Sequence, residues 1–224
     1  MAIQEESNFE LPPVGNHLAR CYALIDLGYQ KNLSFGNVKK KVLFLWELVD
    51  KRLKDGSPFQ VRSKHITVSR HENSDYYTLY KTWKGKDIKE YKGTIAESMK
   101  NLVGEYCLVN IIHNGKYANV AGVTPLPDSM IPNPNIEKTL NDLIIFELDD
   151  DENIVDEEMW NKLSPSIQEK ISKRVMPDEL EEIRKELEEQ QEQEAETESE
   201  STDEDVDDSD FDMPEGMDEN EYLE

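Results

Sequence analysis

Cysteine is nearly absent from the 224 residues: Cys21 and Cys107 are the whole supply. Both fall in strand-like segments, so a disulfide scaffold is excluded and a reducing cytosol is expected. The four histidines (His17, His65, His71 and His113) are scattered, and no Cys/His spacing resembles a zinc site. Long apolar runs are missing too. The longest, Val42–Trp46, is too short to cross a bilayer, and the N-terminus lacks a basic stretch followed by an apolar one. Neither a membrane partner nor a secretory leader is expected. No repeat of 20–50 residues is found.

The signatures of catalysis are equally scarce. Gly28 and Gly36 lack the Lys-Ser/Thr that completes a phosphate loop, and there is no G-x-S-x-G elbow. A metal-dependent nuclease needs converging carboxylates, and the folded body offers only Asp26, Glu47 and Asp50 at strand ends. The run Asp203-Glu204-Asp205-Val206-Asp207 imitates a calcium loop. It fails because Asp208 stands where a sharp turn needs Gly and Pro214 where the bidentate Glu belongs. The expectation is a non-catalytic protein without metal or cofactor.

What is present is charge, unevenly placed. The chain has 25 Lys+Arg against 49 Asp+Glu, a formal net charge of −24. From Met1 to Leu140 there are 19 basic and 15 acidic residues, and within Arg20–Lys100 there are 17 and 9. From Asn141 to Glu224 there are 6 and 34. A weakly basic body therefore carries a strongly acidic tail.

The body reads as β. After an extended lead-in, residues 1–16, strand patterns cover His17–Asp26, Lys39–Val49 and Phe59–Arg70, with a loop over Gly28–Asn37. In Phe59–Arg70, alternation sets Arg62, Lys64 and Arg70 opposite Val61, His65 and Thr67. Ser74 caps a helix from Asp75 that stops at Gly85, with Tyr76, Tyr77, Tyr80 and Trp83 at helical spacing; a second helix fits Thr94–Leu102. Strands return at Glu105–His113 and Lys116–Thr124. Asn114-Gly115 between them predicts a type I′ hairpin turn. Prolines 125, 127, 132 and 134 close the domain, and Asp142–Leu148 adds a short edge strand.

Strand-strand-strand-helix-strand-strand is the order of a five-stranded Greek-key barrel of the OB type, with its helix between strands three and four. A meander sandwich gives a similar strand count without needing the helix. The expected domain is residues 17–150. A helical extension over 151–191 follows, with helices at Asp156–Leu163 and Pro165–Val175 sharing the stripe Trp160, Leu163, Ile167, Ile171 and Val175. A further segment, Asp178–Gln191, has few apolar residues. Residues 192–224 are too charged to fold alone and are expected to form a disordered acidic tail.

Gripping a single nucleic-acid strand requires cations for the phosphates and aromatic rings for the bases. The candidates are Arg20, Tyr22, Lys39, Lys41 and Trp46 on the first strands and Arg62 and Lys64 on the third. Lys81, Lys84 and Lys86 lie around the helix end, and Tyr106, Tyr117 and Asn119 on the last hairpin. Each has a structural alternative. Tyr22 and Trp46 fit a core equally, Arg62 and Lys64 fit a solvated face, and cations beside Trp83 complement the helix dipole. At the tail tip, Phe211, Met213, Met217, Tyr222 and Leu223 are candidate contacts for partner proteins.

Several stretches together resemble a known family. They are Leu11-Pro12-Pro13-Val14-Gly15, Ala19-Arg20-Cys21-Tyr22, Ile25-Asp26-Leu27-Gly28, the run Lys41–Leu48 and Ser57-Pro58-Phe59. Tyr80 with Trp83-Lys84-Gly85-Lys86, Leu108–His113 and Tyr117–Ala121 complete the set. Over Leu11–Pro127 the chain resembles the OB-fold single-stranded DNA-binding proteins of tailed bacteriophages. The resemblance implies sequence-independent single-stranded DNA binding in phage replication and recombination, in the cytoplasm of the infected bacterial host. Cellular single-stranded DNA-binding proteins end in Pro-Phe, whereas this chain ends Tyr222-Leu223-Glu224, so docking of host proteins that read such a tail is not expected.

The expected function is single-stranded DNA binding, with a tethered acidic tail that competes with DNA for the cationic groove and recruits replication or recombination proteins. A homodimer is compatible with the sequence. The alternative is a protein-interaction adaptor, in which the barrel and the apolar stripe of the C-terminal helices bind protein instead of DNA.

Overall fold

Two long strands, β1 (Gly15–Lys31) and β2 (Val38–Arg52), pair antiparallel and carry the rest of the sheet. The computed structural model describes residues 10–31, 37–115, 117–127, 130, 141–186 and 189. The chain divides into two compact units, Met1–Leu180 and Glu181–Glu224, and the second is helical over 181–186. The expectations for the lead-in before residue 10, for Pro132 and Pro134 and for the acidic tail lie outside the described residues.

β2 continues into β3 (Pro58–Arg62) and β4 (Ile66–Thr67), both paired back onto β2. Helix α1 (Asp75–Lys84), a 3-10 turn (Ile88–Glu90) and α2 (Ile95–Lys100) follow. β5 (Tyr106–Asn114) and β6 (Tyr117–Pro125) form a hairpin against the first part of β1. β7 (Ile144–Phe146) runs parallel to β1 at Ala23–Ile25, beyond the point where β5 leaves it. The ladder order is β3-β2-β1-β5-β6, and its two ends, β3 and β6, approach each other without a ladder between them. The protein is mainly β, a curled antiparallel half-barrel with a few short helices.

Two apolar cores flank this sheet. Val42, Phe44, Trp46 and Leu48 of β2 face the first core, while Leu43 and Leu45 face the second. Burial on both sides is why this strand reads as an unbroken apolar run rather than an alternation. β1 changes sides within its length. Ala19 and Cys21 face the first core, the register slips between Cys21 and Ala23, and from there Ala23, Ile25 and Leu27 face the second core while Leu24 faces the first. The bulge at Tyr22 flips the alternation.

Helix α1 closes the first core with Tyr76, Tyr77, Tyr80 and Trp83, capped as expected by the Ser74 side chain and ended by Gly85 in the left-handed region. The second core is closed by α3 (Glu157–Lys162) and α4 (Pro165–Ser172). Leu163, Ile167 and Ile171 bury there against Phe146 and Leu148, with Trp160 partly buried beside them. The stripe expected to face a partner is thus covered by the chain's own sheet.

Two local expectations change. The Phe59–Arg70 strand is broken at Ser63, whose N–H donates to the Phe44 carbonyl (2.9 Å) while its hydroxyl accepts from the Phe44 N–H (3.1 Å). After the break Ile66 is buried and His65 is exposed, reversing the expected faces. Asn114 is a strand residue paired with Tyr117, and of Asn114 and Gly115 only the glycine has positive φ (59°), so the type I′ turn is not formed there.

Candidate nucleic-acid interface

The consecutive lysines 39, 40 and 41 near the start of β2 organise a cationic cluster. Lys41 pairs with Thr67 of β4 in register and donates to its hydroxyl. Lys64 forms an ion pair with Asp75 at 2.6 Å, at the start of α1. Burial lowers the pKa of Lys41 below the ordinary lysine value. Asp75 opposes that shift, and the like charges of Lys39, Lys64 and Lys170 add to it. His65, though its residue surface is largely open, has an imidazole partly desolvated by its neighbours, and this first, then the charges of Lys170, Arg62 and Lys41, lowers its pKa. Side chains from β2, β3, the β3–β4 connection and α4 therefore share one positive potential, a ready counter-surface for phosphate.

Beside this cluster lies a cleft of about 560 Å³. Its lining includes Tyr29, Lys39, Lys40, Ser69, His71 and Asn73. Lys40 sits 5.6 Å from the centre of the Tyr29 ring and forms ion pairs with Glu152 (2.9 Å) and Asp26 (3.1 Å). Burial works against the Lys40 charge, yet the two carboxylates raise its pKa above the ordinary value. A second, smaller cleft of about 360 Å³ is lined by Tyr22, Asn141, Leu143 and Met159 among others.

Several expected contact residues are placed elsewhere. Trp46 is 0 % exposed, packed between Phe44 (ring centres 6.0 Å apart) and Trp83 (5.9 Å), so it belongs to the first core and offers no face to a base. Tyr22 is buried in the second core, and burial raises its pKa far above the ordinary tyrosine value. Arg20 is engaged with Glu47 at 2.6 Å. Lys84 pairs with Glu105 at 2.6 Å, and Lys81 lies over the Tyr77 ring at 5.4 Å. Lys86 is exposed beyond α1.

Lys39, Lys41, Arg62 and Lys64 are brought near one another, and Arg20 stands apart on Glu47. Tyr106, Tyr117 and Asn119 share a different face, the outer side of the β5–β6 hairpin, where Asn119 pairs with Ile112 and Tyr117 with Asn114. Among the described residues, the part of that face around Asn110 and Ile112 carries no charged side chain: Asn16 and Asn110 bond to each other at 2.7 Å, and Ile112 and Tyr117 are 45 % and 63 % exposed, while Tyr106 lies opposite Arg20 in the ladder. Phe211, Met213, Met217, Tyr222 and Leu223 lie outside the described residues.

Tyr29, Lys40, His65, His71 and Lys170 were not singled out from the sequence as contacts. The sequence places Tyr29 in a loop, whereas Gly28 is followed by three more strand residues; the lysine run 39–41 facing it is the available signal. Lys170 reaches the cluster only because α4 folds back on the sheet. Among the described residues no three His, Cys, Asp or Glu groups gather as a metal ion requires. Asp26 and Glu47 are both occupied by cationic partners. No protein-family model, no curated protein and no solved structure matches this chain.

Proposed function

We propose that this chain is a non-catalytic single-stranded DNA-binding protein built on an OB-type barrel, serving phage DNA replication or recombination. The observation that carries the reading is the gathering of Lys39, Lys41, Arg62, Lys64 and Lys170 around His65, whose like charges add to the effect of burial in lowering the pKa of Lys41 and His65. In a chain of net charge −24, such a concentration of one sign selects a polyanion. The family resemblance over Leu11–Pro127 supports the same partner. The acidic residues after 191 compete for the cluster, because a tether keeps their local concentration high, and are freed for replication or recombination proteins when DNA displaces them.

The test is binding of labelled oligo-dT, against duplex of equal length, by the full chain and by a version ending at Gln191. Tighter binding to the single strand, strengthened by truncation and weakened by salt, is the expected result. Absence of single-strand binding by both proteins at low salt overturns the reading. A second reading, a protein adaptor, is favoured by one observation: the outer hairpin face around Asn110 and Ile112, without a charged side chain among the described residues, suits a protein better than a phosphate backbone. It predicts partner capture that Ile112→Lys abolishes.

A further inference from the structure

A single strand needs a ring that a base can reach, next to cations that hold its backbone. Most aromatic residues are out of reach: the rings of Tyr22, Phe44, Trp46, Tyr76 and Trp83 are buried. Tyr91 packs on Tyr80 and its hydroxyl accepts from Asn101 at 2.7 Å, and Trp160 packs on Phe146. Tyr106 and Tyr117 lie on the outer hairpin face, away from the Lys39–Lys41 run, and the arginine opposite Tyr106, Arg20, is taken up by Glu47.

Tyr29 differs from all of these. It is half-buried, lines the 560 Å³ cleft, and faces Lys40 in the β1–β2 register. Lys39 and His71 line the same cleft. His71 Nδ1 accepts from the backbone N–H of Asn73 at 3.3 Å, which in the neutral ring leaves Nε2 as a donor. The volume falls in the roughly 300–1,000 Å³ range of small-ligand sites. Lys40, tied to Asp26 and Glu152, already covers one side of the ring.

We propose that this cleft seats one nucleotide of a bound single strand, its base on Tyr29 and its phosphate on Lys39 and His71. The inference rests on the single-strand reading and goes beyond it by naming the base platform. The lysine cluster supplies charge along the strand; the cleft brings charge and a reachable ring together among the described residues.

The full chain is titrated at low salt with a dT oligomer and with an abasic oligomer of the same phosphate count. Tyr29→Leu is expected to weaken dT binding about 5- to 150-fold, the range of one base–aromatic stack, and to leave abasic binding unchanged. Tyr29→Phe retains the preference for dT. Lys39→Gln weakens both oligomers alike and flattens the slope of log affinity against log salt by about 0.7. Photocrosslinking of a 5-iodouracil oligomer to the unmodified chain is expected at Tyr29, and this arm does not depend on how any variant folds.

Survival of the dT preference in a folded Tyr29→Leu chain overturns the platform, as do crosslinks confined to Tyr117. In either case the single-strand reading stands. No binding of either oligomer by the unmodified chain removes the reading itself.

Discussion

Arg20 donates from Nε and Nη2 to a single oxygen of Glu47, at 2.8 and 2.6 Å, across the β1–β2 ladder where the two residues are register partners. The other carboxylate oxygen of Glu47 accepts from the backbone N–H and side-chain amide of Asn141, at 2.8 and 2.6 Å. The Glu47 side chain is 0 % exposed and that of Arg20 12 %. The arginine that could have held a phosphate instead neutralises a buried acid, and the pair fastens residue 141 to the sheet.

Breaking this pair leaves one charge in a low-dielectric site, at a cost of about 3–5 kcal/mol, whereas apolar replacement of both members removes the desolvation penalty as well. Arg20→Met and Glu47→Met are each expected to lower the unfolding free energy by that amount. The double variant is expected to be more stable than either single one. Denaturant titration of the three proteins checks the order; a double variant less stable than both singles contradicts it.

Trp46 supports a second prediction. It is sandwiched by Phe44 and Trp83 with no exposed surface, so truncation opens a cavity in the first core. Trp46→Ala is expected to cost about 3–5 kcal/mol. Oligo-dT affinity per folded molecule is expected to stay unchanged, which separates a core residue from a stacking platform.

How far the sequence revealed the fold depends on how local each signal is. Helix α1 was legible to the residue, because Ser74, the aromatic spacing and Gly85 all act within one short stretch. The cores were less so. A run such as Val42–Val49 marks a strand, but whether its aromatic residues face a core or a ligand depends on what covers the sheet, and here α1 covers one side and α3–α4 the other. A bulge leaves no compositional trace, so the side change at Tyr22 was invisible. The cluster at Lys41 was half legible: β2 and β3 cations share a face by periodicity, while Lys170 arrives through tertiary packing alone.

The cluster also predicts a pH dependence. Partial desolvation of the ring and the charges of Lys170, Arg62 and Lys41 hold the His65 pKa below its ordinary 6.5, so in the free protein the ring stays neutral until the pH falls below that value. In that window the unfolded chain binds more protons than the folded one, and the free protein loses stability as the pH falls. A bound polyanion favours the protonated ring, so binding takes up a proton. Oligo-dT affinity is expected to rise between about pH 7.5 and pH 5.5. The rise should shrink in His65→Gln, as measured by titrations at matched ionic strength.

Lys41 and Lys170 test whether the shared potential is used. Each phosphate neutralised contributes about 0.7 to the slope of log affinity against log salt for a single strand. Lys170→Gln is expected to reduce the slope by up to that amount without lowering thermal stability, because its charge acts on Lys41 as like-charge repulsion, which the substitution relieves. An unchanged slope places the strand away from α4.

Gly28 and Gly115 give a matched comparison of backbone and packing costs. Both have positive φ, 70° and 59°, so alanine at either site meets the left-handed penalty of roughly 1–2 kcal/mol. At Gly115 nothing lies within 4 Å of an added Cβ. At Gly28 the same atom runs into the Glu152 carboxylate, Arg174 Cδ at 2.8 Å and Leu148 Cδ1 at 3.1 Å. None of the three is free to retreat. Lys40 holds the Glu152 carboxylate at 2.9 Å, Arg174 Nε donates to the Glu152 carbonyl at 2.7 Å, and Leu148 belongs to the second core. Overpacking of this kind adds about 1–3 kcal/mol. Gly28→Ala is therefore expected to destabilise the chain by more than Gly115→Ala, measured as the difference in denaturant midpoint. Because Lys40 also lies over Tyr29, Gly28→Ala is expected to weaken oligo-dT binding while Gly115→Ala leaves it intact.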